Sequence, residues 1–219
     1  MTARPDAGTS YVLYGARGSG AAAVEMALVL ADAPFRKIDA ASWEANSGRD
    51  ELARVNPLLQ IPTLVLPDGS IMTESAAILI HLGLVHPGSH LLPVDASKRA
   101  QVLRGLVYIA ANCYAAIGVI DYPERWVDAP DDATGERIRT GTKARLHHLW
   151  DVFADLFPAQ PWLNGETLGA LDILATVVSR WSGARARLAK SRPAFSALVS
   201  KVEKDERLAP VFAAYWPGK

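Results

Sequence analysis

The sequence predicts a small α/β domain followed by an all-helical one. Up to about residue 85, short apolar strands alternate with helical stretches, the pattern of an α/β layer. After Pro93 no strand-like run occurs, and long helical periodicities take over. Between the two lies His86-Pro87-Gly88-Ser89-His90, a cluster of helix breakers. The boundaries expected are therefore 1–85 for the α/β domain, 86–93 for the linker and 94–219 for the helical domain.

Residues 11–14 (Tyr-Val-Leu-Tyr) read as a strand and 15–20 as a glycine-rich turn. Residues 21–32 read as an alanine-rich helix with Val24, Ala27, Leu28 and Ala31 on one face, and 35–38 as a second strand. So short a β-α-β crossover implies parallel pairing with a right-handed connection. Residues 50–55 can form a short helix. Residues 63–66 and 70–72 make a hairpin around Pro67-Asp68-Gly69, a strong turn signal, and 75–85 the next helix. This order, βαβ, α, ββ, α, is that of a thioredoxin-like domain. In the second half, 96–120 and 134–157 read as long helices, the latter closed by Pro158 and Pro161, with a polar loop over 121–133. Shorter helices are expected over 169–181, 193–204 and 208–215.

Composition narrows the function. Half of the residues are apolar, enough for a substantial core. With 23 basic and 23 acidic residues the formal charge is zero, which argues against a general polyanion binder, so no nucleic-acid partner is expected. The single cysteine, Cys113, excludes an internal disulfide and any multi-cysteine metal site, and reads as a small buried hydrophobe. His147-His148 and the other histidines lack ligand spacing, so no metal is expected. Residues 1–10 are polar and show no secretory signal, and the apolar run 106–120 is broken by Asn112 and short for a bilayer, hence a buried helix. A cytoplasmic protein without a membrane partner is expected. The tryptophans Trp126, Trp150, Trp162, Trp181 and Trp216 read as core or lid residues.

The segment from Asn56 to Ile78 is the most informative. In Asn56-Pro57-Leu58-Leu59-Gln60-Ile61-Pro62-Thr63-Leu64, a proline opens a strand directly, where its missing N–H costs no ladder bond. A cis peptide before Pro62 would present the N–H and C=O of Ile61 for pairing with an extended peptide. About a dozen residues on, Glu74-Ser75 opens a helix, and a helix N-terminus with a serine hydroxyl suits a carboxylate. A backbone-pairing site and a carboxylate site separated by a hairpin describe a pocket for a small acidic peptide.

The segment resembles the glutathione-binding half of the cytosolic glutathione transferase superfamily, whose pattern is close to N-P-x-G-Q-[IV]-P-x-L, then D-G, then E-S-x-A-I. The chain matches at Asn56, Pro57, Gln60, Ile61, Pro62, Leu64, Asp68, Gly69, Glu74, Ser75, Ala77 and Ile78, and departs at Leu59, where glycine is frequent. The second domain carries half of another family mark: Asp172 is present, but the cap three residues before it is Gly169 in place of serine or threonine. The resemblance covers nearly the whole chain and implies the transferase fold. It implies glutathione as co-substrate, with Ile61 and Pro62 against its backbone, Glu74 on its amine, Ser75 on its γ-glutamyl carboxylate and Gln60 alongside. Arg17 is a candidate for steering the ligand's carboxylates.

Transferases of this kind hold the glutathione thiol as thiolate, which requires a donor near the end of the first strand. Two hydroxyls qualify. Ser19, in Gly18-Ser19-Gly20, lies at the spacing from Leu13-Tyr14-Gly15 that resembles the serine-type classes. Counting back from Ala27-Leu28 and Pro34-Phe35 instead puts Tyr14 in the tyrosine-type register and Gly20 where cysteine-type classes carry cysteine. Ser19 is favoured because a helix start suits an anion and its glycine neighbours allow close approach; the bland alternative for it is a plain N-cap. The resemblance places a small hydrophobic electrophile between the domains against the first long helix, where Tyr108, Asn112 and Tyr114 are candidates. It leaves open a non-catalytic glutathione-binding protein and a glutathione-dependent disulfide or peroxide reductase. It also implies a homodimer, so light scattering at micromolar concentration should give twice the chain mass; a monomer mass would count against it.

Overall fold

The computed structural model describes residues 10–41, 43–44, 48–129 and 131–218. The polar segment 1–9 and residue 130 of the expected loop 121–133 lie outside the described residues. The chain divides into two compact units, Met1–Val94 with Glu203–Lys219, and Asp95–Val202.

The first unit is built on a mixed four-stranded sheet in the order β2-β1-β3-β4. Strand β1 (Tyr11–Gly15) runs parallel to β2 (Phe35–Asp39), as the short crossover requires, and antiparallel to β3 (Thr63–Val65), which pairs antiparallel with β4 (Ile71–Met72). Helix α1 (Ala21–Leu30) is apolar on nearly every side, and Ala21 to Val24 and Met26 to Leu28 are buried accordingly. It packs on β1 and on α3 (Ser75–Val85). The other face of the sheet carries α2 (Arg49–Val55), whose Leu52 is buried with Tyr14 and Ala40, bordered by Val12, Ile38, Val55, Leu59, Ile61 and Val65. Period-2 alternation along β1 thus sends Val12 and Tyr14 to the α2 side.

The second unit is helical throughout its described elements. Helix α4 (Ala96–Tyr108) is capped by Asp95, whose carboxylate accepts the Lys98 N–H at 2.8 Å. It continues through a π-helical segment (Ile109–Tyr114) into α5 (Ala115–Asp121). The sequence predicts one straight helix here. Within the π segment the Asn112 side chain donates to the Tyr108 carbonyl at 3.1 Å. By length and composition Ala96–Asp121 could cross a membrane. Its residues Val102, Leu106, Ile109, Cys113 and Ile117 are nonetheless core, packed towards α6 (Asp132–Leu156) and α7 (Ala170–Val178). Gly105 permits the close approach of α4 to α7: a β-carbon there would lie 2.6 Å from the Leu171 side chain. Every residue of α7 is buried.

Helix α8 (Ala184–Ser191) has no counterpart among the predicted elements. It is polar and is held by charge: Arg187 donates to Asp151 of α6 at 2.7 Å, and Arg192, just past its end, pairs with Asp155 at 2.7 Å. Helix α9 (Pro193–Glu203) follows. The last helix, α10 (Ala209–Tyr215), was expected with the helical domain, 94–219, but groups with the first unit, because its apolar residues Val211, Phe212 and Tyr215 are buried there with α1 as a partner.

Candidate functional site

The loop from β1 to α1 is folded around Ser19. Its hydroxyl donates to the Ala16 carbonyl at 2.7 Å and accepts from the backbone N–H of Ala16 and Ala21, each at 3.3 Å. Ser19 is buried, one residue before the N-cap Gly20, at the first turn of an apolar helix. A group here sits beside the positive end of the α1 dipole. For the hydroxyl to serve a ligand, its proton must turn from the Ala16 carbonyl.

Tyr14 is placed differently. Its ring belongs to the cluster on the α2 face, and its hydroxyl donates to Glu51 Oε1 at 2.8 Å. Burial, then the hydrogen bond and charge of Glu51, push its pKa up to about 12. The hydroxyl is thereby engaged with a helix on the sheet face. Arg17 is exposed and lines an open cleft of about 270 Å³ with Ala16, Asp39, Ala41, Trp43 and Glu44.

The Ile61–Pro62 peptide is cis. Neither the N–H nor the C=O of Ile61 forms a hydrogen bond among the described residues, whereas the carbonyl of Gln60 before it is doubly held. That hold comes from Asn56, a buried residue to which sequence reasoning gave no role beyond motif membership. Its amide nitrogen donates to the Gln60 carbonyl and to Thr63 Oγ1, both at 3.0 Å, while its oxygen accepts the Leu58 N–H at 3.1 Å. Thr63 Oγ1 donates to the same Gln60 carbonyl at 2.8 Å. Asn56 therefore ties both sides of the loop that presents Ile61. The Gln60 side chain belongs to an exposed residue.

The departure at Leu59 has a backbone meaning. Leu59 has φ +54°, in the left-handed region where a β-carbon costs roughly 1–2 kcal/mol. Glycine would avoid that cost but would forfeit the packing of the leucine against the Tyr14 cluster. Partial burial of a leucine is worth about the same amount, so the substitution is close to balanced.

At the start of α3, Glu74 is exposed and held at φ +63°, ψ +103°, a rare conformation for a side-chain-bearing residue. Such outliers gather at binding sites. Ser75 follows at the first helical position, buried, with its hydroxyl unbonded among the described residues. The helix N-terminus and a hydroxyl unbonded among the described residues are thus together.

In the helical unit, the Tyr108 hydroxyl donates to the Leu149 carbonyl at 3.0 Å, and its ring packs on Phe153 and Phe157. Tyr114 stacks on Trp181, with ring centroids 5.5 Å apart. Asn112 bonds within its own helix. Cys113 is fully buried, and desolvation pushes its thiol up to about 12, so it is unsuited to nucleophilic work at neutral pH. No cluster of three or more metal-ligating side chains occurs among the described residues.

Gly169 is explained by its neighbour. A β-carbon there would lie 2.2 Å from the Asn164 amide, so serine or threonine cannot enter without moving that side chain. The surviving half of the cap is strong: Asp172 accepts N–H bonds from Leu163 at 2.7 Å, Gly169 at 3.1 Å and Asn164 at 3.2 Å.

Known proteins similar to this chain identify its family. The glutathione S-transferase N-terminal domain model matches residues 21–84. The uncharacterized GST-like protein YncG of Escherichia coli (strain K12) is 33% identical over 171 residues, spanning 77% of this chain and 80% of that protein. Among solved structures, a glutathione transferase homolog from Sulfitobacter with bound glutathione superposes with a TM-score of 0.83 at 21% identity, covering 94% of this chain and 99% of its own. The ternary complex of BphK, a bacterial GST, gives 0.75 at 26% identity, covering 93% and 98%. The chain belongs to the glutathione transferase superfamily and has its fold, a thioredoxin-like domain joined to a helical region.

Proposed function

We propose that this chain is a cytoplasmic glutathione transferase that holds the thiol of glutathione as thiolate and directs it at a small hydrophobic electrophile. The observation that carries the reading is the N–H and C=O of Ile61, without a hydrogen bond among the described residues, in one unit with the Ser75 hydroxyl at the start of α3, likewise unbonded among them. Extended peptide pairs with such a backbone as another strand would, and a carboxylate suits such a helix start. The Sulfitobacter homolog holds glutathione, which supports the same ligand here. In the reaction the thiol gives its proton to solvent, the sulfur lone pair forms a bond to an electrophilic carbon, and any leaving group departs with its electron pair. Ser19 and the α1 N-terminus stabilise the sulfur anion before that step. Tyr108, Asn112 and Tyr114 are the candidates for contact with the electrophile, the Tyr108 hydroxyl being donated to the Leu149 carbonyl and the Tyr114 ring stacked on Trp181.

Replacing Ser75 by alanine should weaken glutathione binding by about 1–3 kcal/mol, the worth of a charge-assisted hydrogen bond. Calorimetric titration measures this, and an unchanged affinity removes Ser75 from the ligand site. One observation favours a second reading, binding without catalysis: the Ser19 proton is donated to Ala16. Turnover of a generic aryl halide with glutathione separates the two. A reductase is disfavoured, because Gly20 stands at the cysteine position and Cys113 is buried.

A further inference from the structure

The loop that carries Ser19 is fastened from outside by the last helix of its own unit. Gly18, at φ +70°, donates its N–H to the Tyr215 carbonyl at 3.1 Å. A β-carbon on Gly18 would lie 4.0 Å from the Trp216 indole nitrogen, so the indole edge borders the loop tip. At the start of the loop, a β-carbon on Gly15 would lie 3.4 Å from the Tyr215 hydroxyl. Tyr215 is 3% exposed. Its ring is covered by Lys37 at 4.8 Å, and Lys37 is itself fixed by Glu25 at 2.9 Å. Trp216 is buried beside it, with ring centroids 5.8 Å apart.

The remaining bonds explain why this matters. Ala40 N–H holds the Gly15 carbonyl at 2.9 Å on the strand side. Inside the loop, Ser19 N–H bonds Ala16, Ala16 N–H bonds Ser19 Oγ, and Ser19 Oγ donates back to Ala16. When Ser19 turns its proton to a ligand, that last bond is given up. The tip is then held from outside by Tyr215 and bordered by Trp216.

We propose that Tyr215 and Trp216 are positioning residues of the thiolate site, fixing where the Ser19 hydroxyl lies without touching the ligand. This rests on the transferase reading above. The side chain that can be changed with least injury to the buried helix is Trp216, at the helix end. In the full chain, Trp216→Ala should raise the pKa of bound glutathione by about half a unit or more and lower kcat about threefold, half a unit being a factor of about three. The Kd for S-methylglutathione, which has no thiol proton, should stay within about twofold, and Trp216→Phe should restore most of both losses. A structural role alone would lower the thermal midpoint and leave the thiolate pKa of the folded fraction unmoved, and that result overturns the proposal. Amide exchange on the unaltered chain is independent of any variant's folding: the Gly18 N–H must be protected relative to that of Arg17, and equal exchange overturns the proposal as well. If the unaltered chain forms no bound thiolate, the transferase reading fails and takes this role with it. If it does and Trp216→Ala changes nothing, the positioning role alone fails.

Discussion

Ser19→Ala should raise the pKa of bound glutathione by about a unit or more and cut turnover about tenfold or further, while Tyr14→Phe should leave both nearly unchanged. The size follows from an exchange of bonds. A hydrogen bond to a charged acceptor is worth about 1.5–3 kcal/mol, and the neutral bond that Ser19 now makes to Ala16 about 0.5–1.5 kcal/mol. The difference, on the order of 1–1.5 kcal/mol, is about one pKa unit. Loss of the Ala21 and Ala16 N–H acceptor adds local loosening of the loop. Tyr14 cannot substitute, because its hydroxyl is donated to Glu51 on the α2 face. Tyr14→Phe should cost about 1 kcal/mol of stability through that bond and little else. Thiolate absorbance titrated at saturating glutathione checks both variants. A titration shifted by Tyr14→Phe and not by Ser19→Ala would assign the donor to the tyrosine.

Asp172→Ala should destabilise the protein at neutral pH by about 2–4 kcal/mol. Two effects oppose each other. Burial pushes the Asp172 pKa up to about 6 although backbone N–H bonds, those of Leu163, Gly169 and Asn164 foremost, pull it down. Relative to an unfolded carboxyl near 3.9, the rise costs on the order of 3 kcal/mol when the group is ionised. Against this, removing the carboxylate strands three buried N–H groups of Leu163, Asn164 and Gly169, at about 1–3 kcal/mol each. The lost bonds win. The pH dependence has a definite sign. The folded state binds the proton more tightly than the unfolded, so the contribution of Asp172 is greatest below about pH 4 and falls as pH rises to about 6. Asp151 and Asp155 act the other way and lower down. Burial raises Asp151, but hydrogen bonds from Arg187 and Ser191 outweigh it, and Arg192 lowers Asp155. Their contribution is lost only as pH falls through those depressed values. Urea denaturation of wild type and Asp172→Ala across pH 4–7 should therefore give a difference curve that narrows as pH rises from about 4 to 6. A flat difference contradicts the assignment.

What the sequence made legible depended on local rules. Ile61-Pro62 at a strand start, the Pro67-Asp68-Gly69 hairpin and the Glu74-Ser75 helix opening each follow from the preferences of a few neighbouring residues, and each stands where expected. What it hid depended on distant partners. The polar helix α8 owes its place to Asp151 across the unit, which no periodicity reveals. The π segment turns on how Ile109–Tyr114 packs against α6 and α7. The return of α10 to the first unit joins residues nearly two hundred positions apart, through contacts such as Gly18 with Tyr215. Within the site, Ser19 and Tyr14 were indistinguishable by counting. In the structure their side chains go different ways, one hydroxyl lying in the loop and the other facing Glu51.

The central claim is that the chain binds glutathione and lowers the pKa of its thiol. Titrating thiolate absorbance of the unaltered chain with glutathione, from about pH 5 to 10, tests it directly. A bound thiol with a pKa near 6.5, about two units below the free value and worth about 2.7 kcal/mol, is the predicted result. Glutathione that binds yet titrates at about 8.5, or that does not bind, would contradict it.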